Sequence, residues 1–393
     1  MKLLHVISSM DPKSGGPSQG IRNLNPHLAN NKLDIEIVCM DEPNQNYIDI
    51  DNEDFKIHKV GTGLTSFKYS KNLSLWLDLH IDDYDFISVH GIWQYHNFAV
   101  FKAIKKRKKK GLRIPKVVIM PHGMLDPYFQ KASNRKYKAL RNEIVWRLTE
   151  KKAINSADAI FFTCEEELIL ARKTFKGYKP KREINIGYGI ERPPIFEERM
   201  KCSFEEICPA IKDKKYWLFL SRIHNKKGID LLIEVYIKLT NEGNKLPELV
   251  IAGPIDSEFA KQMVSIAQEN SHIHFTGMIY GDSKWGIFYG CEAFLLPSYQ
   301  ENFGIAIVEA MACKKPVMIT KHINIWMEIQ NGHGGWIIET PNKIEIENHL
   351  LSLSHLSKNQ LQEKGEKAYS TFEKNFLVDS RAIDFIDVLN SLK

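Results

Sequence analysis

The chain has 393 residues, 43% apolar and 26% charged, the balance of a folded globular protein and more than one hydrophobic core serves, so two domains are expected. No apolar run approaches the ~18 residues of a membrane-crossing helix, and the six scattered cysteines, without a CxxC pair or zinc-type histidine spacing, read as free thiols of a reducing cytoplasm. The net charge of +6 hides an asymmetry: residues 101–150 hold 15 Lys+Arg against 3 Asp+Glu, so that stretch carries +12 and the remainder −6.

In chain order, residues 2–8 (KLLHVIS) read as a first strand and not as a signal peptide, because Asp11 and Lys13 follow and no small-residue cleavage site does. The glycine-containing loop at 8–20 (SSMDPKSGGPSQG) leads into a helical run at 21–28. Strand, glycine-rich turn, then helix is the phosphate-binding entry of a doubly wound α/β domain. A strand at 35–40 precedes a polar segment, 41–54, expected to be an exposed loop. Its pair Asp49 and Asp51, like Asp83 and Asp85 later, has the DxD form that can hold a metal; pairs this common are read as solvated surface, so no metal site is expected.

The strand 86–90 (FISVH) runs into HGIWQYHN, and strand C-terminal ends of open α/β sheets face the ligand crevice. His90 and Trp93 are therefore candidates to meet a substrate, and His96 reads as a capped core histidine. The helix at 98–111 ends in six consecutive basic residues, 105–110. Together with Arg135, Lys136, Lys138, Arg141 and Arg147 these exceed what a helix dipole requires. An anionic membrane surface is the expected partner; nucleic acid is not, since no recognisable module accompanies the charge. A strand at 116–120 leads into PHGMLDPYFQ, which places His122 and Gly123 at another strand end. A helix over 136–154, a strand at 159–164 and a helix opened by acids 165–167 follow. Residues 184–194, with two glycines and two prolines, read as the interdomain boundary.

The second half repeats the grammar: strand 216–220, loop 221–228 (SRIHNKKG), helix 229–241, strand 249–252, helix 260–269, strand 272–277, a segment 283–289 and strand 293–297. After the strand AFLLPS comes ENFGIAIVEAMACKKP, 301–316. Here a short polar loop carries Glu301, a helix starts near Gly304, and Glu309 lies about one and a half turns in. Arg222, Lys226 and Lys227 follow a strand end of the same sheet. Cations beside a helix N-terminus make a diphosphate site, and two carboxylates beside it suit a hydroxyl-rich phosphorylated ligand, such as a nucleotide sugar. The tail, 372–393, reads as one terminal helix.

These residues together resemble glycosyltransferase family 4 over nearly the whole length. The carriers are SGGP, HGIW at His90, PHGMLDP at His122, SRIHNKKG, and above all ENFGIAIVEAMA with its Glu-x7-Glu spacing. The resemblance implies an α/β fold of two facing Rossmann-like doubly wound domains with an interdomain cleft. Residues 1–190 would form an acceptor-binding domain, 191–375 a donor domain, and 376–393 a helix returning to the first domain, with closure about the boundary. It implies a retaining hexosyltransferase that uses a nucleoside-diphosphate sugar and neither metal nor cofactor. Arg222 and Lys227 would neutralise the diphosphate and Glu301 hold the donor-sugar hydroxyls. Phe303 and Gly304 would contribute backbone amides and Glu309 bind the ribose. Gly15 and Gly16 would approach the donor, His122 would sit by the reacting sugar, and His90 and Trp93 would face a saccharide or lipid-linked acceptor. Catalytic roles thus fall to His122, Glu301, Arg222 and Lys227. The expected setting is polysaccharide biosynthesis in the cytoplasm, peripheral to the inner face of the cell membrane through residues 101–150. A nucleotide-sugar epimerase of similar fold and a non-enzymatic binder of anionic surfaces are rival readings; a Rossmann oxidoreductase, the third, would require GxGxxG followed by an acidic residue at a strand end, and neither stands in that context. Lys314 stands where the family usually has glycine.

Overall fold

The computed structural model describes residues 1–45, 55–132 and 135–393; Asp49 and Asp51 lie outside the described residues. Internal contacts divide the chain into Met1–Gly189 with Val378–Lys393, and Ile190–Leu377.

The first unit is built on β1 (Lys2–Ile7), β2 (Asp34–Cys39), β3 (Lys56–Lys59), β4 (Phe86–His90), β5 (Lys116–Met120), β6 (Ala159–Phe162) and β7 (Glu183–Asn185). Among the described residues these form one parallel sheet in the order β3-β2-β1-β4-β5-β6-β7. The order reverses between β1 and β4, the topological switch point where doubly wound sheets bind ligands. Its helices are α1 (Gly16–Asn30), α2 (Lys71–His80), α3 (Tyr95–Lys109), α4 (Tyr128–Lys131), α5 (Lys136–Val145), α6 (Lys151–Ser156) and α7 (Glu165–Ala171); a π turn, Trp146–Glu150, joins α5 to α6.

The second unit repeats the plan with β8 (Tyr216–Leu220), β9 (Glu248–Ala252), β10 (Ile273–Gly277), β11 (Ala293–Leu296), β12 (Val317–Thr320) and β13 (Gly335–Ile338), ordered β10-β9-β8-β11-β12-β13 and again parallel. Its helices are α8 (Glu198–Ile207), α9 (Ile229–Asn241), α10 (Glu258–Ala267), α11 (Gly281–Gly290), α12 (Ile305–Ala312), α13 (Trp326–Asn331), α14 (Lys343–Ser354) and α15 (Lys358–Asn375). The two parallel sheets explain the near-continuous apolar runs of β1, β4, β8 and β11: helices cover both faces, so alternation is lost.

The last helix, α16 (Val378–Ser391), belongs to the first unit. Its Ala382, Phe385 and Leu389 recur at helical spacing and are buried in one cluster with Leu3, Phe86, Val118 and Phe161. Phe385 meets the Phe161 ring edge-on at 5.7 Å.

Several expectations are corrected. The tail is two helices, broken at Phe376–Leu377, and not one. Residues 184–194 do not form turn alone, since Ile184 and Asn185 pair with β6 in strand β7. Asp41, expected on an exposed loop, is buried and accepts a hydrogen bond from the Met10 N–H at 2.7 Å. Short polar β3 and β7 carry no period-2 signal over so few residues, which is why the sequence hid them.

Candidate active site

In the second unit, the chain leaves β8 at Leu220 and makes a tight turn, Asn225–Lys227, that closes on Gly228 in the left-handed region, φ 66°. A Cβ at Gly228 would lie 2.1 Å from the Pro297 carbonyl oxygen. Only glycine therefore lets this turn pack against the chain leaving β11. Lys226 ties the two loops: its Nζ donates to Gln300 Oε1 at 2.7 Å, and its carbonyl accepts from the Tyr299 N–H at 2.8 Å.

The packing brings the buried Lys227 ammonium against the Glu301 carboxylate as an ion pair. Glu301 is itself held from both backbone sides, its N–H donating to His322 O and its carbonyl accepting from the Asn324 N–H, each at 3.0 Å. Burial, then the cations of Arg222 and Lys226, push the Lys227 ammonium down to about 7; the Glu301 carboxylate pulls the other way. Arg222 is exposed. Gly304, φ 80°, is the N-cap of α12, and no side chain caps that helix. Its first turn therefore presents open N–H groups beside these cations, an anion site. One turn further, the Glu309 carboxylate accepts from Lys284 Nζ of α11 at 2.7 Å. Phe303 is buried, edge-on to Phe376 at 5.5 Å. Lys284 is a neighbour that no motif announced.

In the first unit, a cavity of ≈ 370 Å³ opens at the switch point, lined by Ser9, Ser18, His90, Trp93, Arg135 and Arg141 among others. Gly15 caps α1 and Gly16 begins it, between the cavity-lining Ser14 and Pro17. From the cavity wall at His90, three histidines stand in line. His5 Nδ1 lies 2.7 Å from His90 Nε2, and His90 Nδ1 lies 3.0 Å from His122 Nε2. Desolvation holds His5 down at about 3, His122 at about 4 and His90 well below its usual range, so all three are neutral. A neutral imidazole has one donor and one acceptor nitrogen, so the tautomer of one member sets those of the other two. Both His90 nitrogens are thereby engaged. His96 is buried and hydrogen-bonds the His90 carbonyl at 2.9 Å, the capped core histidine expected.

The loops that carry these groups are strained and pinned. Trp93 (φ 74°) and His122 (φ 51°) both occupy the left-handed region, which non-glycine residues adopt only where their surroundings hold them. Two buried glutamates do the holding. Glu150 accepts from Asn97 and from the Trp93 backbone, and burial raises its carboxyl to about 7. Glu167 accepts from the Gly123 N–H at 2.5 Å, and from the Thr163 N–H and hydroxyl at 2.8 and 2.6 Å. Glu167 was expected merely to favour a helix start; its burial and long-range partner were invisible in EEEL. Of the second acidic pair, Asp85 is a structural group, accepting from the Lys2 N–H at 2.9 Å and from Arg113 at 2.6 Å.

Residues 204–371 match the family described as glycosyl transferases group 1, and residues 14–182 match Glycosyltransferase Family 4. The chain belongs to glycosyltransferase family 4, of the group 1 type. The O-antigen biosynthesis glycosyltransferase WclY of Escherichia coli is 24% identical over 100% of this chain and 99% of its own. The O-antigen chain mannosyltransferase C of Escherichia coli is 22% identical with the same coverage. Among solved structures, HepE of Anabaena, in complex with UDP and glucose, superposes with a TM-score of 0.75 at 15% identity over 100% of both chains. This family 4 enzyme thus shares the fold of HepE, and most of the candidate residues follow the strands that flank the two sheets' switch points.

Proposed function

We propose that this glycosyltransferase moves a hexose from a nucleoside-diphosphate sugar to a hydroxyl of a saccharide or lipid-linked saccharide during polysaccharide assembly, with retention at the anomeric carbon and without a metal. The observation that carries the reading is the second unit's cluster: Lys227 paired with Glu301, with Arg222 and Lys226 beside the uncapped N-terminus of α12. The two O-antigen relatives support the polysaccharide setting.

In this reading Arg222, Lys227 and the amides at Phe303 and Gly304 take the diphosphate and stabilise the charge that develops as it leaves. They supply cationic charge where other transferases use a metal. Glu301 holds sugar hydroxyls and Glu309 the ribose, while Lys284 orients the Glu309 carboxylate. The α1 N-terminus at Gly15–Gly16 is a second anion-accepting helix end. His122, set by His90 and His5, offers one neutral nitrogen to the reacting sugar. Trp93 lines the acceptor cavity, and His90 acts through His122.

The bond from the anomeric carbon to the phosphate oxygen breaks as the acceptor oxygen attacks the same face. The departing phosphate oxygen takes the acceptor's proton. Unpaired cations within the basic stretch 101–150 turn the enzyme toward a membrane that carries the acceptor, at the inner face of the cell membrane.

UDP is the first probe, because HepE was solved with it. UDP binding to the wild type should raise the melting temperature, and Glu301→Gln and Lys227→Met should each lower kcat/KM on the order of 100-fold. Proton NMR of the product fixes the anomeric outcome; an inverted product, or an activity abolished by EDTA, overturns the mechanism. A sugar epimerised without transfer to an added acceptor overturns the function.

A further inference from the structure

The basic excess of residues 101–150 does not form one face. Part of the end of α3 and the loop after it is neutralised in place: Lys106 pairs with Asp78 at 2.6 Å, Arg107 with Asp82, and Arg113 with Asp85 at 2.6 Å. The run of six cations that dominates the sequence is therefore partly spent on α2 and the turn after it.

The segment from α5 through the π turn is different. Tyr137, Leu140, Ile144 and Leu148 are exposed at 92%, 62%, 50% and 67%. At about 100° per residue these four fall within roughly 80° of arc. Asn142, Trp146 and Glu150, on the opposite side, are buried at 3%, 1% and 0% and anchor the helix to the unit. Exposed cations flank the apolar stripe, Lys136 and Arg147 on one side and Lys138 and Arg141 on the other. Among the described residues Lys136 and Lys138 have no ion-pair partner; the half-buried acid of the segment, Glu143, is taken by Arg147 at 2.7 Å. A soluble surface does not ordinarily set four large apolar side chains in one row. An apolar stripe between two rows of cations is complementary to a bilayer surface with anionic headgroups. The same helix also lines the acceptor cavity, through Arg141 and Asn142.

We propose that the α5 face, Tyr137, Leu140, Ile144 and Leu148 framed by Lys136 and Lys138, inserts into an anionic lipid surface and so brings the mouth of the acceptor cavity to a membrane-borne acceptor. The second half of this statement rests on the transferase reading; the first does not. The π turn contributes directly, since it keeps Leu148 in line with Ile144 while returning Trp146 and Glu150 to the core.

The test uses the full chain and phosphatidylcholine vesicles with and without roughly 30% phosphatidylglycerol. Wild type should float with the anionic vesicles and not with the neutral ones. Replacing the four apolar residues by Ser should weaken binding about 10-fold or more, and a salt increase that screens simple attraction should leave part of the wild-type binding intact. These positions are exposed, so the melting temperature should hold. Lys108→Glu with Lys109→Glu, at the end of α3, should weaken binding much less than Lys136→Glu with Lys138→Glu. A Tyr137→Trp variant should shift its emission to the blue on anionic vesicles. Unshifted emission, equal binding by the Ser variant, or greater sensitivity at α3 overturns the proposal. So does concentration-dependent self-association that the Ser variant abolishes, which assigns the stripe to a second copy of the chain. UDP binding measured on the same samples keeps the two readings apart: vesicle binding lost with UDP binding intact leaves the transferase reading standing.

Discussion

Lys227 is where opposing influences on one proton are easiest to measure. Burial and the cations Arg222 and Lys226 push it down to about 7, while the paired Glu301 carboxylate, and still more a bound diphosphate, favour the charged form. UDP binding near pH 7 should therefore take up a proton, and affinity should fall as pH rises from 6 through 8; calorimetry in buffers of different ionisation enthalpy reads both, and Lys227→Gln should flatten the dependence. Lys314 poses a simpler question. It follows the C-cap of α12 at φ 58°, a left-handed position that glycine fills without strain. Its bond to Glu366 at 3.0 Å is solvent-exposed and offsets little of that strain. Lys314→Gly should thus stabilise by about 1 kcal/mol in urea unfolding. The glycine usual in the family is explained by backbone geometry.

At the scale of elements, the loops after β4 and β5 are more strained than their sequences disclose. HGIW and PHGM advertise their glycines, but Trp93 and His122 also take positive φ, held by glutamates from distant segments. Glu167→Ala would leave the Gly123 and Thr163 N–H groups buried without their acceptor, at about 1–3 kcal/mol each. The expected result is a clear loss of stability together with weaker turnover, and Glu167→Gln, which keeps one acceptor oxygen, should recover part of both. The helix 136–154 was legible from its period, and the structure extends it from Lys136 to Ser156 through a π turn. Its outward apolar face was not legible, because periodicity marks an apolar stripe without saying whether protein covers it.

For the molecule as a whole, the first unit should be the acid-sensitive one. His5, His90, His96 and His122 are all held below their ordinary value of 6.5 by burial. Unfolding lets each bind a proton, so the stability they permit is present above pH 6.5 and is lost as pH falls toward their folded values. Glu150, raised from 4.5 to about 7, has the opposite sign and favours the fold as pH falls from 7 to 4.5. Four groups against one decide the direction: the melting temperature should drop between pH 6.5 and 5, and Glu150→Gln should raise it more at pH 8 than at pH 5. Deleting residues 378–393 should unfold the first unit and spare the second, because it strips Phe385 and Leu389 from the core at about 1.5–3 kcal/mol each. Limited proteolysis should then degrade 1–189 while a fragment near 190–377 survives; equal survival of both would refute that dependence.

The sequence by itself determined the α/β class, the two repeats of strand-loop-helix grammar and the family, and it singled out the residues from Arg222 to Glu309 that the structure gathers at one sheet edge. These are local signals: apolar runs, glycine turns and a motif whose chemistry is contiguous. Tertiary structure alone decided that the terminal helix is two pieces, that Lys227 meets Glu301, that His5 completes a histidine line, that Glu150 and Glu167 pin the loops after β4 and β5, and that the exposed apolar stripe lies on α5 while Lys106 and Arg107 near the end of α3 are neutralised. Each of these joins residues far apart in the chain or depends on what does and does not cover a surface, and a one-dimensional pattern carries neither.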